Sequence, residues 1–165
     1  MDYLGLDPAK VSQTVEKLNT LLANYHIYYQ NLRNFHWNVN GDNFFDLHEQ
    51  FENLYDDART KIDDIAERIL TLRHEPLSKM SDYLAEAEIE ESNILSSDVE
   101  MISVILKNHR ILIKDIRKII TIADHASDEG TIDMIGSFLA DLEKKSWMLD
   151  AWRVKKLERT AVTIH

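Results

Sequence analysis

Two prolines, Pro8 and Pro76, and four glycines are the only strong helix breakers in 165 residues. A chain so short of turn formers cannot make the many tight reversals of a β fold, and its length has to be spent on long helices. The apolar spacing agrees. After Asp7, an acidic cap, and Pro8 in the first turn, Val11, Val15, Leu18, Leu22, Tyr25, Tyr29, Leu32 and His36 recur in alternating steps of four and three. That is one face of a helix turned to a core. Asn38 to Asn43 then reads as a turn.

The second helix is expected from Phe44 to Leu72, with Phe51, Leu54, Tyr55, Ala58, Ile62, Ile65 and Ile69 on its apolar side and Pro76 beyond its end. Ser81 to Glu100 carries seven acids and no Lys or Arg. A short helix over Tyr83 to Ile89 suits its middle, and a connection this long crosses a bundle instead of closing a hairpin. Ser97-Asp98-Val99-Glu100 has the form of a capping box opening the third helix. Ser127 to Thr131 breaks the chain, and Ile132, Ile135, Phe138, Leu139, Leu142, Trp147 and Leu149 carry the fourth helix. The expected fold is all-α: a single domain over 1–165, a ferritin-like four-helix bundle with a long crossover carrying a short helix between the second and third helices.

Composition closes off several chemistries. With no cysteine there is no disulfide framework, thiolate metal site or thiol nucleophile. No glycine-rich phosphate loop is present, and no serine has a credible His/Asp constellation. Met101 to Ala123, the most apolar stretch, holds too many charges to span a membrane. No basic segment followed by an apolar one opens the chain, so a cytoplasmic location is expected. The net charge of -10 disfavours nonspecific nucleic-acid binding by the body of the protein and suits one that collects cations.

Di-iron sites inside ferritin-like bundles use Glu-x-x-His pairs, and no Glu here has a His three residues later. The candidate ligands lie elsewhere: His36 at the end of the first helix, and His48, Glu52, Asp63 and Glu67 on the second. At ~100° per residue, Glu52 lies roughly 40°, Asp63 roughly 60° and Glu67 roughly 100° around from His48, all on one side bordering the apolar stripe. Charged groups at such a border need a partner, a metal or a subunit contact. Yet His48 and Asp63 are separated by roughly 22 Å along the axis at ~1.5 Å per residue, far beyond metal–ligand bonds of ~2.0–2.2 Å. Two antiparallel copies of the helix remove the conflict. His48 of one chain then meets Asp63 and Glu67 of the other, about a two-fold axis near Tyr55 to Asp57, and His36 joins from the first chain. Two imidazoles with two or three carboxylates suit Fe(II), and could also hold zinc or manganese.

The stretch from Asn34 to Glu67 closely resembles the Dps family, the mini-ferritins. The His36-Trp37 pair, the twelve-residue step to His48 and the Asp63/Glu67 pair carry the resemblance, which extends over nearly the whole chain. It implies a hollow dodecamer built from two-fold dimers. The implied ferroxidase centres, each holding two irons, draw His36, His48 and Glu52 from one chain and Asp63 and Glu67 from its neighbour. Fe(II) and hydrogen peroxide are the implied reactants. Ferric oxyhydroxide is stored in the cavity, which limits oxidative damage. The resemblance also places Asp124 and Asp133 in three-fold pores that admit iron; ordinary helix capping is the alternative for these acids and for Asp128 and Glu129.

Two rivals stand beside this reading. One is a DNA-binding protein, for which Arg153, Lys155, Lys156 and Arg159 form a basic C-terminal cluster while the N-terminal end is not basic. The other is a metal-free structural bundle. Trp37 is read as packing beside the site. His26, His74, His109, His125 and His165 have no partner at ligand spacing and are read as structural.

Overall fold

The computed structural model describes residues 3–163. Five helices follow one another: α1 (Pro8–Asn38), α2 (Phe44–Thr71), α3 (Met80–Glu86), α4 (Asp98–His125) and α5 (Glu129–Thr163). The four long ones are those expected, and among the described residues there is no strand. The short links between α1 and α2 and between α4 and α5 make antiparallel pairs, and α1 packs on α2, α3 and α4. Asn43 Nδ2 donates to Asp98 Oδ2 at 2.8 Å, so the starts of α2 and α4 are neighbours. These two helices therefore run the same way, and the crossover has to travel the length of the bundle.

The caps follow the sequence. Asp7 accepts from the Ala9 amide at 3.0 Å, and Ser97 from the Glu100 amide at 3.3 Å. Neither α2 nor α4 ends on glycine. Arg73 and Ser127 instead take the left-handed conformation, with φ of 67° and 54°. The His74 amide reaches the Ile69 carbonyl and the Asp128 amide the Ala123 carbonyl, the bonding of a Schellman turn. Asp128 then caps α5, accepting from the Thr131 amide and hydroxyl at 3.1 and 2.6 Å, and it pairs in the interior with Arg68.

The interior is built from the expected stripes, including Leu18, Leu22, Tyr25, Phe35, Phe51, Leu54, Ile65, Ile116, Ile135 and Leu142. Two expectations need correction. The short helix covers Met80–Glu86 instead of Tyr83 to Ile89. Its C-terminal boundary is set by Asn24 of α1, whose Oδ1 takes the Glu88 and Ile89 amides at 2.8 and 2.9 Å and so draws that backbone out of the helix. Trp147 is 68% exposed. Five residues past Leu142 it stands ~140° around α5 from the core line, while Leu149 returns to it.

Asparagines on α1 fasten the crossover. Asn19 Oδ1 accepts from the Leu77 amide at 2.9 Å and Asn31 Oδ1 from Ser92 at 2.8 Å; Asn31 Nδ2 donates to the Glu90 carbonyl at 3.0 Å and Asn34 Nδ2 to that of Ser92 at 2.9 Å. An irregular segment packed on a helix must find partners for its backbone groups, and these side chains supply them.

A second polar line lies deep between helices. The Tyr28 hydroxyl is 2.7 Å from His109 Nε2, and His109 Nδ1 is 2.8 Å from Ser146 Oγ. Burial, reinforced by the charges of Lys145 and Lys61, pushes His109 down to about 3 from its ordinary 6.5. In the unfolded chain this imidazole takes a proton as pH falls through 6.5, whereas the folded one stays neutral until about 3. Its contribution to stability is therefore complete above 6.5 and lost on acidification, at ~1.4 kcal/mol per pH unit per chain. Unfolding free energies measured between these limits should fall less steeply for His109→Gln than for the wild type; equal slopes would contradict this.

Candidate metal centre

His36 sits in the last turn of α1 and His48 in the second turn of α2, so the link between the helices folds one onto the other. Their imidazoles stack, with centroids 3.7 Å apart and planes 25° from parallel, and the Phe44 ring stacks on His48 at 5.0 Å. The two residues also bond reciprocally. His36 Nδ1 lies 2.8 Å from the His48 carbonyl oxygen, and His48 Nδ1 2.9 Å from that of His36. A carbonyl oxygen only accepts, so each Nδ1 carries a hydrogen and donates it. In the neutral rings both Nε2 atoms are then left with a lone pair, the form a metal takes.

Glu52 stands one turn after His48, and ligand atoms of His36, His48 and Glu52 all lie within 4.8 Å of one another. Tyr55 sets its edge against His36, centroids 5.3 Å apart, and its hydroxyl donates to Glu52 Oε1 at 3.3 Å. Burial, and then the Glu52 carboxylate, holds the Tyr55 phenol above its ordinary range, so it remains a donor. Trp37, next to His36 in the chain, is 58% exposed, with the Arg33 guanidinium 4.7 Å over its ring. It packs on Arg33 and not in the interior.

Asp63 and Glu67 do not join the cluster within one chain. They stand exposed, one turn apart, further along the unbroken α2. The cations beside them in sequence are turned away. Lys61 is buried and bonds Asp57 at 2.6 Å and also Asp141, and Arg68 holds Asp128 and Thr131. Neither cation is therefore turned to balance Asp63 or Glu67. Among the described residues neither carboxylate has an ion-pair partner. Lys61 and Lys145, with Asp57 and Asp141, form a ring of alternating charge between α2 and α5. Burial works against Asp141, but the hydrogen bonds from Lys145 and Lys61 outweigh it and hold the carboxylate below its ordinary range. Sequence reasoning missed this ring, although the repeated Asp-x-x-x-Lys on α2 and α5 is its signal.

Asp124 and Asp133 are exposed near the α4–α5 turn; Asp128, buried and paired, is a cap. Of the basic C-terminal cluster, Arg153 is paired with Asp150 at 2.6 Å and Lys156 lies 3.6 Å from Asp98; the Arg159 side chain falls outside the described residues. His26 stacks on Tyr83 at 3.9 Å, His74 Nδ1 donates to the Leu72 carbonyl at 2.8 Å and His125 is exposed. His165 lies outside the described residues.

Three comparisons bear on this arrangement. Residues 15–159 match the family model described as a ferritin-like domain. A DNA protection during starvation protein of Porphyromonas gingivalis is 41% identical over 94% of this chain and 98% of its own, and one from Brevibacillus brevis is 43% identical over 82% and 91%. The chain belongs to the Dps family. Solved Dps structures agree. That from Vibrio cholerae O1, described as a member of a broad superfamily of ferritin-like diiron-carboxylate proteins, has a TM-score of 0.89 at 38% identity, covering 92% of this chain and 96% of its own. The Dps protein of Bacillus brevis has a TM-score of 0.85 at 40% identity, with 87% and 97% covered. Membership in Dps supports iron binding and storage with a protective role, and ferroxidase-type chemistry in general. No helix among the described residues of this Dps chain is long and apolar enough to cross a membrane.

Proposed function

We propose that this Dps protein is a ferroxidase and iron store whose centre is shared by two chains. The observation that carries the reading is the reciprocal His36–His48 pair, which presents two Nε2 lone pairs beside Glu52. Three donors leave an ion short of ligands, and Asp63 and Glu67, without an ion-pair partner among the described residues, stand on the same helix. An antiparallel α2–α2 contact brings the partner copy's carboxylates to the histidines and, by symmetry, forms two equal centres. The histidines, fixed by their Nδ1 bonds, bind Fe(II) as substrate. The carboxylates favour the harder Fe(III) and so help the electron leave. With hydrogen peroxide as oxidant, two ferrous ions give one electron each and the O–O bond takes both. The ferric ions hydrolyse to oxyhydroxide and release protons. Storage takes place in the cavity of a dodecamer, and removing Fe(II) and peroxide together limits radical damage.

Rapid mixing of the Fe(II)-loaded protein with peroxide or with dioxygen, with native mass measurement in parallel, tests this. Twelve-subunit particles that retain iron and oxidise it faster with peroxide are expected. Particles that neither bind Fe(II) nor oxidise it would leave a structural bundle. Family naming keeps DNA binding in view, but two of the four C-terminal cations are already engaged with Asp150 and Asp98.

Asp124 and Asp133 serve as the iron entrance in this account. Repeated about a three-fold axis, their carboxylates focus cations. Asp124→Asn with Asp133→Asn should slow uptake at low ionic strength and flatten its salt dependence, since such fields are screened over ~10 Å at 0.1 M salt. Assembly and oxidation after slow equilibration should persist. Unchanged low-salt uptake would make these acids caps.

A further inference from the structure

The Tyr28–His109–Ser146 line takes no part in the metal centre, yet it is more ordered than a core contact needs to be. The direction of each bond can be read. The Ser146 hydroxyl donates to the Leu142 carbonyl at 2.6 Å, so its oxygen is free to accept. His109 Nδ1 therefore carries the hydrogen and donates it to Ser146 Oγ, and Nε2 is left to accept from the Tyr28 hydroxyl at 2.7 Å. Both rings are buried, and the Tyr28 phenol is held well above its ordinary value by burial and by the neighbouring Tyr25, Asp57 and Asp141. Tyr28 cannot lose a proton alone.

A phenol that loses an electron becomes a strong acid, so its oxidation is practicable where a base already touches the hydroxyl. Of the other tyrosines, Tyr55 also meets a base, but at 3.3 Å and at the exposed Glu52 carboxylate. Tyr83 and Tyr3 donate to backbone carbonyls, of Leu77 and Thr71, and the buried Tyr25 hydroxyl has no hydrogen-bond partner among the described residues. Tyr28 also has aromatic neighbours in short steps. Tyr25 stands edge-on with centroids 6.1 Å apart. Tyr29, next in the chain, stands edge-on to Tyr55 at 6.0 Å, and Tyr55 touches His36.

We infer that Tyr28 and His109 form a proton-coupled one-electron donor inside the bundle. A strong one-electron oxidant, such as a hydroxyl radical formed from Fe(II) and peroxide, gains one electron. Tyr28 loses that electron and its phenolic proton; the O–H bond breaks and an N–H bond forms on His109 Nε2. The products are the reduced oxidant, a neutral tyrosyl radical and an imidazolium. A hydroxyl radical reduced in this way takes up a proton from solvent and leaves as water. His109 and Ser146 line a surface cavity of about 530 Å³ with Arg110, Lys114 and Arg117, which brings solvent to the far end of the line. His109 holds a proton weakly, so the proton returns to Tyr28 when an external one-electron reductant quenches the radical. Weak basicity also reserves the pair for strong oxidants.

The inference does not depend on the metal centre, and its test uses metal-free full-length protein. Flash-generated ruthenium(III) tris-bipyridine serves as the one-electron oxidant, with a cobalt(III) ammine as terminal acceptor. Samples are frozen and read by electron paramagnetic resonance. A neutral tyrosyl signal is expected, and 3-fluorotyrosine placed at position 28, which preserves the packing, should split it by fluorine coupling. His109→Gln, which keeps hydrogen-bonding capacity without the base, should lower the radical yield severalfold, while Tyr25→Phe should leave it near wild type. A signal without fluorine splitting, or a yield unchanged by His109→Gln, would overturn the inference.

Discussion

Alanine at His48 or at Asp63 should lower peroxide-dependent Fe(II) oxidation at least ~tenfold, since even supporting groups around metal ligands are worth that much, and should leave the helical signal unchanged. His48 supplies an Nε2 lone pair and Asp63 a carboxylate, but no single copy of α2 presents both to one ion. The two variants mixed during assembly are therefore more informative than either alone. In a mixed pair one centre has both defects and the other has neither. With equal amounts and random pairing, half the pairs are mixed, so about one centre in four is intact. Roughly a quarter of wild-type activity should return. Mixed particles no more active than their parents would remove the inter-chain centre.

Asn24→Leu should be the most damaging single change to the fold among those considered. The Asn24 side chain is buried, satisfies the Glu88 and Ile89 amides, and donates to Asp115 at 2.8 Å. Leucine is of similar size and leaves two backbone donors and a carboxylate without this partner. At ~1–3 kcal/mol for each orphaned group, a loss of at least ~3 kcal/mol in unfolding free energy is expected. Burial already holds the Asp115 carboxyl above its ordinary range, with Glu88 adding to this; loss of the Asn24 bond should raise it further. Thr20→Val, which removes an exposed bond to Glu86, should cost less than ~0.5 kcal/mol. Similar losses in the two variants, measured by denaturant titration, would show that the crossover is held by something other than the asparagines.

The four long helices were legible because periodic apolar stripes and few breakers are local signals, and the caps at Asp7 and Ser97 follow from short-range chemistry. The turn linking α1 to α2 was legible too, and with it the meeting of His36 and His48. Harder to see was anything decided by a partner far along the chain. The asparagines of α1 look like ordinary polar positions until the crossover, some 58 to 65 residues later, lays its backbone on them. Lys61 reads as a surface cation beside Asp63, but Asp57 and Asp141 draw it inward. Trp147 reads as core by type, and only the helical phase puts it outside. His109 showed no partner at ligand spacing because Tyr28 and Ser146 lie on other helices. Glu67 and Asp63 are a separate case: their proposed role belongs to a neighbouring molecule, so even the folded single chain leaves them at a distance from the histidines.

Crystals of the protein loaded with Fe(II) without oxidant, with anomalous data collected at the iron edge, test the shared centre most directly. Iron peaks should lie between two copies of α2, bounded by His36, His48 and Glu52 of one chain and by Asp63 and Glu67 of its partner. Peaks inside a single bundle, or no iron at the histidines under saturating Fe(II), would contradict the account.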